Sequence, residues 1–93
     1  MGAEKSIERT VKVLNKYGIH ARPAALLVKA AGQYESEIYL EKDGNEVSCK
    51  SIMGLMTIEG FPGCSLRISI CGSDADAAME EIVGLFDNKF GED

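Results

Sequence analysis

The sequence predicts an α+β domain in the order βαββαβα, an antiparallel sheet with helices packed on one face. Three observations lead there. Short segments alternate apolar with polar residues, most cleanly Leu66, Ile68 and Ile70 against Ser65, Arg67 and Ser69. Such alternation gives a strand one buried and one wet face, the habit of antiparallel sheets. Other segments carry apolar residues at helical spacing, as in Ala75, Ala78, Met79, Ile82, Val83 and Phe86. Asp43-Gly44, between two alternating arms, is a hairpin turn, because a type I′ turn needs positive φ at both central residues. One-sided strands then require a helical layer on their apolar face.

In chain order, the first strand candidate runs from Ile7 to Leu14. Ile7, Val11 and Val13 share a face with Arg9 as the odd member, and Glu8, Thr10 and Lys12 take the other. Asn15-Lys16-Tyr17-Gly18 is a loop, and a helix opens after His20. Gly18 permits a left-handed turn, and Pro23 fits a first helical turn, where a missing N–H costs nothing. The body from Ala24 to Ala31 is rich in helix formers and ends near Gly32 as a C-terminal cap. Ala24, Leu27, Val28, Ala31 and Tyr34 should face the core. Glu37 to Lys42 and Asn45 to Lys50 are the hairpin arms. Ser51 caps a short helix, Ile52 to Thr57, which Gly60-Phe61-Pro62-Gly63 breaks. Ser65 to Cys71 is the clearest strand, Gly72-Ser73-Asp74 is a turn and cap, and the last helix runs from Ala75 to about Asn88.

Ninety-three residues make one domain, with a disordered start over 1–6 and a frayed tail over 89–93. A net charge of −5 argues against a nucleic-acid binder, which is usually basic. No apolar run approaches the ~20 residues of a membrane span, so no membrane insertion is expected. The start lacks an apolar stretch behind a basic region and is no signal peptide. It fits the loose Met-Gly-x-x-x-Ser pattern of N-myristoylation, but a short, disordered, polar start is the simpler reading. Cys49, Cys64 and Cys71 form an odd count without a C-x-x-C pair, so neither a disulfide framework nor a zinc site is expected. Cys49 and Cys71 fall in strand-like segments, where cysteine behaves as a small apolar residue. A reducing, cytoplasmic setting is the simplest inference, and no cofactor or metal is implied.

The chemistry concentrates at Gly18-Ile19-His20-Ala21-Arg22-Pro23-Ala24-Ala25, around the single histidine of the chain. His20 lies at or beside a helix N-cap, next to backbone N–H groups with no intrahelical acceptor. Such a place binds anions, phosphate above all. A neutral imidazole there is nucleophilic at cellular pH. The N–H groups of Ala21 and Arg22 can donate to phosphoryl oxygens, and the helix dipole adds roughly 0.3–1 kcal/mol. The Arg22 guanidinium can add bidentate, charge-assisted bonds. The chain lacks a Gly-x-x-x-x-Gly-Lys-[Ser/Thr] nucleotide loop. A domain that can hold a phosphoryl group without a nucleotide site is a carrier rather than a kinase. A plain capping histidine is the competing explanation.

The run Gly18-Ile19-His20-Ala21-Arg22-Pro23-Ala24 resembles the active-site signature of the HPr family, the histidine-containing phosphocarriers of the phosphoenolpyruvate-dependent sugar phosphotransferase system. The resemblance extends from about Ile7 to Phe86, through the element order, the Asp43-Gly44 hairpin and a second motif, Lys50-Ser51-Ile52-Met53-Gly54. It implies an open-faced β-sandwich, a four-stranded antiparallel sheet with three helices on one face. It also implies that His20 accepts a phosphoryl group from enzyme I through Nδ1 and passes it to the A domains of enzymes II. Arg22 would be its partner, and Pro23 would end the site at the helix start. The protein would be a participant in transfer rather than an independent enzyme.

Ser51 is read from its position as an N-cap, worth ~1 kcal/mol against alanine. The resemblance adds phosphorylation by HPr kinase/phosphorylase, which would place about two negative charges on the adjoining surface. Ile52, Met53, Leu55 and Met56 cannot all point inward from so short a helix, and exposed apolar patches mark partner surfaces. The family docks partners on this helix and the one after the histidine. Ala24, Leu27, Lys29 and Lys50 are therefore further candidates, with Leu27 also a core candidate. Tyr17 stands where family members commonly carry a small or polar residue, and Phe61-Pro62 makes an unusual loop; both bear on partner preference. Within the same class stands a regulatory relay that signals to transcriptional regulators. From another class comes a protein-binding module that keeps the fold without the transfer. A monomer is expected, and a metal or redox role ranks last.

Overall fold

Four strands and three helices alternate in the computed structural model, which describes residues 5–92. They are β1 (Lys5–Lys12), α1 (Ala21–Ala31), β2 (Glu37–Lys42), β3 (Asn45–Ser48), α2 (Ile52–Thr57), β4 (Ser65–Gly72) and α3 (Ala75–Asp87). A 3₁₀ turn, Lys89–Gly91, follows. The order is the expected βαββαβα, and the sheet runs β1-β4-β2-β3 with every neighbouring pair antiparallel. Interleaving β4 between the early strands lets Ile70 pair with Ile7 on one side and Ile38 on the other.

The alternation decides the layers. Leu66, Ile68 and Ile70 are buried with Ile38 and Leu40 beneath the helices, while Ser65, Arg67 and Cys71 are exposed. Arg67 bonds Glu41 across the outer face. From α1 come Ala24, Leu27, Ala30 and Ala31, and from α3 come Ala75, Ala78, Met79, Ile82 and Phe86. The Asp43-Gly44 turn has the two positive φ angles it needs, 52° and 84°.

Several expectations need correction. Lys5 and Ser6, expected in a disordered start, belong to β1 and pair with Gly72 and Cys71. The pattern for N-myristoylation begins at Met1-Gly2, outside the described residues. Cys71 is not a core residue: it stands in the polar register of β4 and is exposed. Cys49 is buried just beyond β3, its N–H bonded to the Ile38 carbonyl at 2.8 Å. The tail does not fray from residue 89, because Phe90 is an anchor. It is 2% exposed and packs edge-on against Phe86, with ring centroids 4.9 Å apart. To bury it, Lys89, Phe90 and Gly91 all take positive φ, a conformation that is unfavourable for non-glycine residues. Burial of a phenyl ring outweighs that strain. Asp74 precedes α3 but does not cap it with its side chain. Its carboxylate instead accepts the N–H groups of Glu35 and Ser36 and the Ser36 hydroxyl, which fastens the entry to β2.

Candidate functional site

Two loops lock together before the helix begins. Val13 N–H donates to the Cys64 carbonyl at 2.9 Å, Gly63 N–H to Val13 at 2.7 Å, and Ile19 N–H to Gly60 at 3.0 Å. Gly18 has φ 68°, and a Cβ there would strike the Gly60 carbonyl oxygen. Glycine at 18 thus meets a backbone angle and a close approach at once. The unusual Phe61-Pro62 segment belongs to this buttress, with Phe61 exposed. Asn15, fully buried, spans the turn from within: its Nδ2 donates to the Gly18 carbonyl at 2.7 Å.

This platform delivers His20 to the N-cap of α1 in an extended conformation, φ −98° and ψ −166°. Its side chain makes no capping bond, so the ring is left for other work. Its carbonyl accepts Ala24 N–H at 3.0 Å, starting the helix. Pro23 is buried in the first turn. The N–H groups of Ala21 and Arg22 occupy the orphan positions of that turn. The imidazole is 39% exposed, enough to be reached by a partner and yet held. Tyr17, largely exposed, stands edge-on to it with ring centroids 6.1 Å apart.

Three residues that sequence analysis left out complete the site. Glu92 receives His20 Nε2 at 2.9 Å on Oε2, Asn15 Nδ2 at 3.0 Å on Oε1, and Arg22 Nη1 at 3.2 Å on Oε2. Phe90 anchors the segment, and its carbonyl accepts Arg22 Nη1 at 2.9 Å. The Asn15 hydrogen bond, opposed by partial burial and aided by His20 and Arg22, holds the Glu92 carboxyl below the usual carboxylate range. Arg22 was expected to reach over a phosphoryl group; with the ring unmodified it ties down the tail instead. The spacing of Phe86 and Phe90, one helical turn apart, was the available signal for the tail. Nothing in sequence pairs Asn15 with Glu92.

The second motif is confirmed as a cap: Ser51 Oγ accepts Gly54 N–H at 3.0 Å. On α2, Leu55 is buried while Ile52, Met53 and Met56 are exposed. Lys29 and Lys50 are exposed, and Lys50 Nζ donates to the Tyr34 carbonyl at 3.0 Å. Ala24 and Leu27 are wholly buried, as their helical spacing predicts, so they build the core and are not a docking surface. Among the described residues no cluster of His, Cys, Asp and Glu could hold a metal ion.

An open-faced sandwich that presents one imidazole at a helix mouth is the arrangement of a phosphoryl-carrier domain. The family model described as PTS HPr component phosphorylation site matches residues 7–88. The phosphocarrier protein HPr of Treponema pallidum is 46% identical over 94% of this chain and 99% of its own length. The HPr-like protein Crh of Halalkalibacterium halodurans is 41% identical over 89% of this chain and 99% of its own. A crystal structure of HPr from Thermoanaerobacter tengcongensis superposes with a TM-score of 0.90 at 42% identity, covering 94% of this chain and 98% of that one. The chain belongs to the HPr family, and it is a phosphocarrier of the phosphotransferase system.

Proposed function

We propose that His20 carries the phosphoryl group, accepting it on Nδ1 from phospho-enzyme I and passing it to enzyme II A domains during sugar uptake. The observation that carries this is the half-exposed imidazole at the N-cap of α1, beside the orphan N–H groups of Ala21 and Arg22. These amides receive the phosphoryl oxygens. Arg22 neutralises them when it is released from the tail. The protein moves the group in the cytoplasm, as a monomer, and is no independent catalyst.

Ile52, Met53 and Met56 with Lys29 and Lys50 form the docking face, where flexible methionines adapt to more than one partner. Phosphorylation of Ser51 by HPr kinase/phosphorylase regulates docking, since added charge on that face repels acidic groups of a partner. Regulators that read the protein would read the same face.

The test is incubation with phosphoenolpyruvate and enzyme I, followed by phosphorus NMR. An acid-labile phosphohistidine is expected on the native protein and none on His20→Ala. Equal labelling of both, or of neither, would sink the assignment. With ATP and the kinase, an acid-stable phosphate should appear and be missing from Ser51→Ala.

A further inference from the structure

We propose that Glu92 is a positioning residue for phosphoryl transfer: it keeps the His20 proton on Nε2 and the ring's lone pair on Nδ1. The inference rests on His20 being the phosphoryl acceptor and gives its second nitrogen a task. An ionised carboxylate can only accept. An imidazole nitrogen 2.9 Å from Glu92 Oε2 and 3.2 Å from Oε1 therefore carries the proton. In the neutral ring the lone pair is then on Nδ1, which makes no hydrogen bond among the described residues.

Glu92 is itself positioned from several sides. Asn15, fully buried, uses one Nδ2 group both to close the Gly18 turn and to hold Oε1. Arg22 Nη1 bridges the Phe90 carbonyl and Oε2. Phe90, sunk beside Phe86, fixes the segment two residues upstream. The arrangement is that of an imidazole whose second N–H is oriented by a carboxylate, a device that sets both tautomer and ring plane. The Glu92 side chain is 17% exposed, so water competes weakly for its oxygens.

The consequence for the step is a simple balance. As the bond from Nδ1 to phosphorus forms, the bond from phosphorus to the donor breaks and its electron pair stays on the donor. The Nε2 proton remains where it is. The ring becomes a phosphoimidazolium cation facing the Glu92 carboxylate, with Arg22 the other charge at the site. On transfer to an acceptor, the nitrogen–phosphorus pair returns to Nδ1 and the neutral ring is restored. No proton enters or leaves in either direction, and Glu92 stabilises the charge that appears between them.

The test compares the native protein with Glu92→Ala and Glu92→Gln, the latter keeping the size and an oxygen acceptor but not the charge. Nitrogen-15 NMR of the neutral imidazole should show Nε2 protonated and Nδ1 bare in the native protein. In Glu92→Ala the Nε2–H resonance should move upfield and the Nδ1–H tautomer should gain population. Transfer from phospho-enzyme I to Glu92→Ala should slow by roughly tenfold, the factor carried by one charge-assisted hydrogen bond, with Glu92→Gln between the two. Native nitrogen shifts in Glu92→Ala, or native transfer rates in that variant with altered shifts, would overturn the proposal. If the native protein takes no label at His20, the acceptor assignment falls instead, and the nitrogen shifts still report the Glu92 contact. Glu92→Gln keeps the comparison interpretable should the alanine variant loosen the tail.

Discussion

His20 has two tasks that its backbone and its ring divide. The backbone starts α1, and the ring makes no capping bond. That division was legible in Gly18, Pro23 and the alanine-rich run, because cap geometry depends on neighbours in sequence. The partner of the ring was not, because Glu92 lies 72 residues away and the pairing needs the whole fold. The cysteines give a further prediction at this scale. Burial pushes the Cys49 thiol up to about 12, whereas Cys71 is exposed. In the folded protein an aromatic disulfide reagent at pH 8 should modify Cys71 rapidly and leave Cys49 intact until denaturant is added. Because Cys49 folds as the neutral thiol, its contribution is present below its unfolded value near 9 and declines as pH rises through about 12. Rapid labelling of Cys49 under native conditions would contradict its place in the core.

Among the elements, α2 shows how a short helix can serve both packing and display. Six residues offer one buried position, taken by Leu55, and the shortness of the helix alone required some of its apolar residues to face out. Ser51→Ala should lower stability by about 1 kcal/mol, measurable by urea unfolding, because Gly54 N–H loses its acceptor. An unchanged midpoint would mean that water replaces the cap at no cost. The two interlocked loops are more demanding. Gly18→Ala must place a Cβ at φ 68° against the Gly60 carbonyl, and should cost at least ~1–2 kcal/mol from the left-handed angle alone. The same substitution at Gly44, where φ is 84° but the space is open, should cost less, so the difference between the two isolates the loop contact. The turn at Asp43-Gly44 was readable from two residues. The contact of Gly18 with Gly60 joins segments that sequence gave no reason to pair.

For the molecule as a whole, the stretch 89–92 and the Asp74 clasp close the structure at opposite ends of α3. Phe90→Ala should cost about 3–5 kcal/mol by emptying the site beside Phe86, and should release Glu92 from His20 at the same time. Loss of stability with a retained Glu92 contact would show that Phe90 packs without positioning. Acid offers a second measurement. The Ser36 hydroxyl, followed by the Glu35 amide, holds the Asp74 carboxyl below its ordinary range, and Asn15 does so first for Glu92. Both lowered values mean that the unfolded chain binds more protons, so their stabilisation is complete above about pH 4–5 and is lost as pH falls toward the folded values. Asp74→Asn should therefore weaken the protein at neutral pH, with the gap to the native chain narrowing toward pH 3 in thermal melts. A gap that stays constant with pH would remove the clasp from the acid response.

The sequence by itself determined the element order, the one-sided sheet, the helix mouth at His20 and the cap at Ser51. Each of these follows from period, capping and turn chemistry within a few residues. Only the tertiary structure decided what the ends and loops do. It brought Phe90 into the core so that Glu92 and Asn15 meet at the His20 ring. The physical reason is one of range: local patterns fix backbone geometry, whereas a hydrogen bond across 72 or 77 residues exists only after the layers have packed.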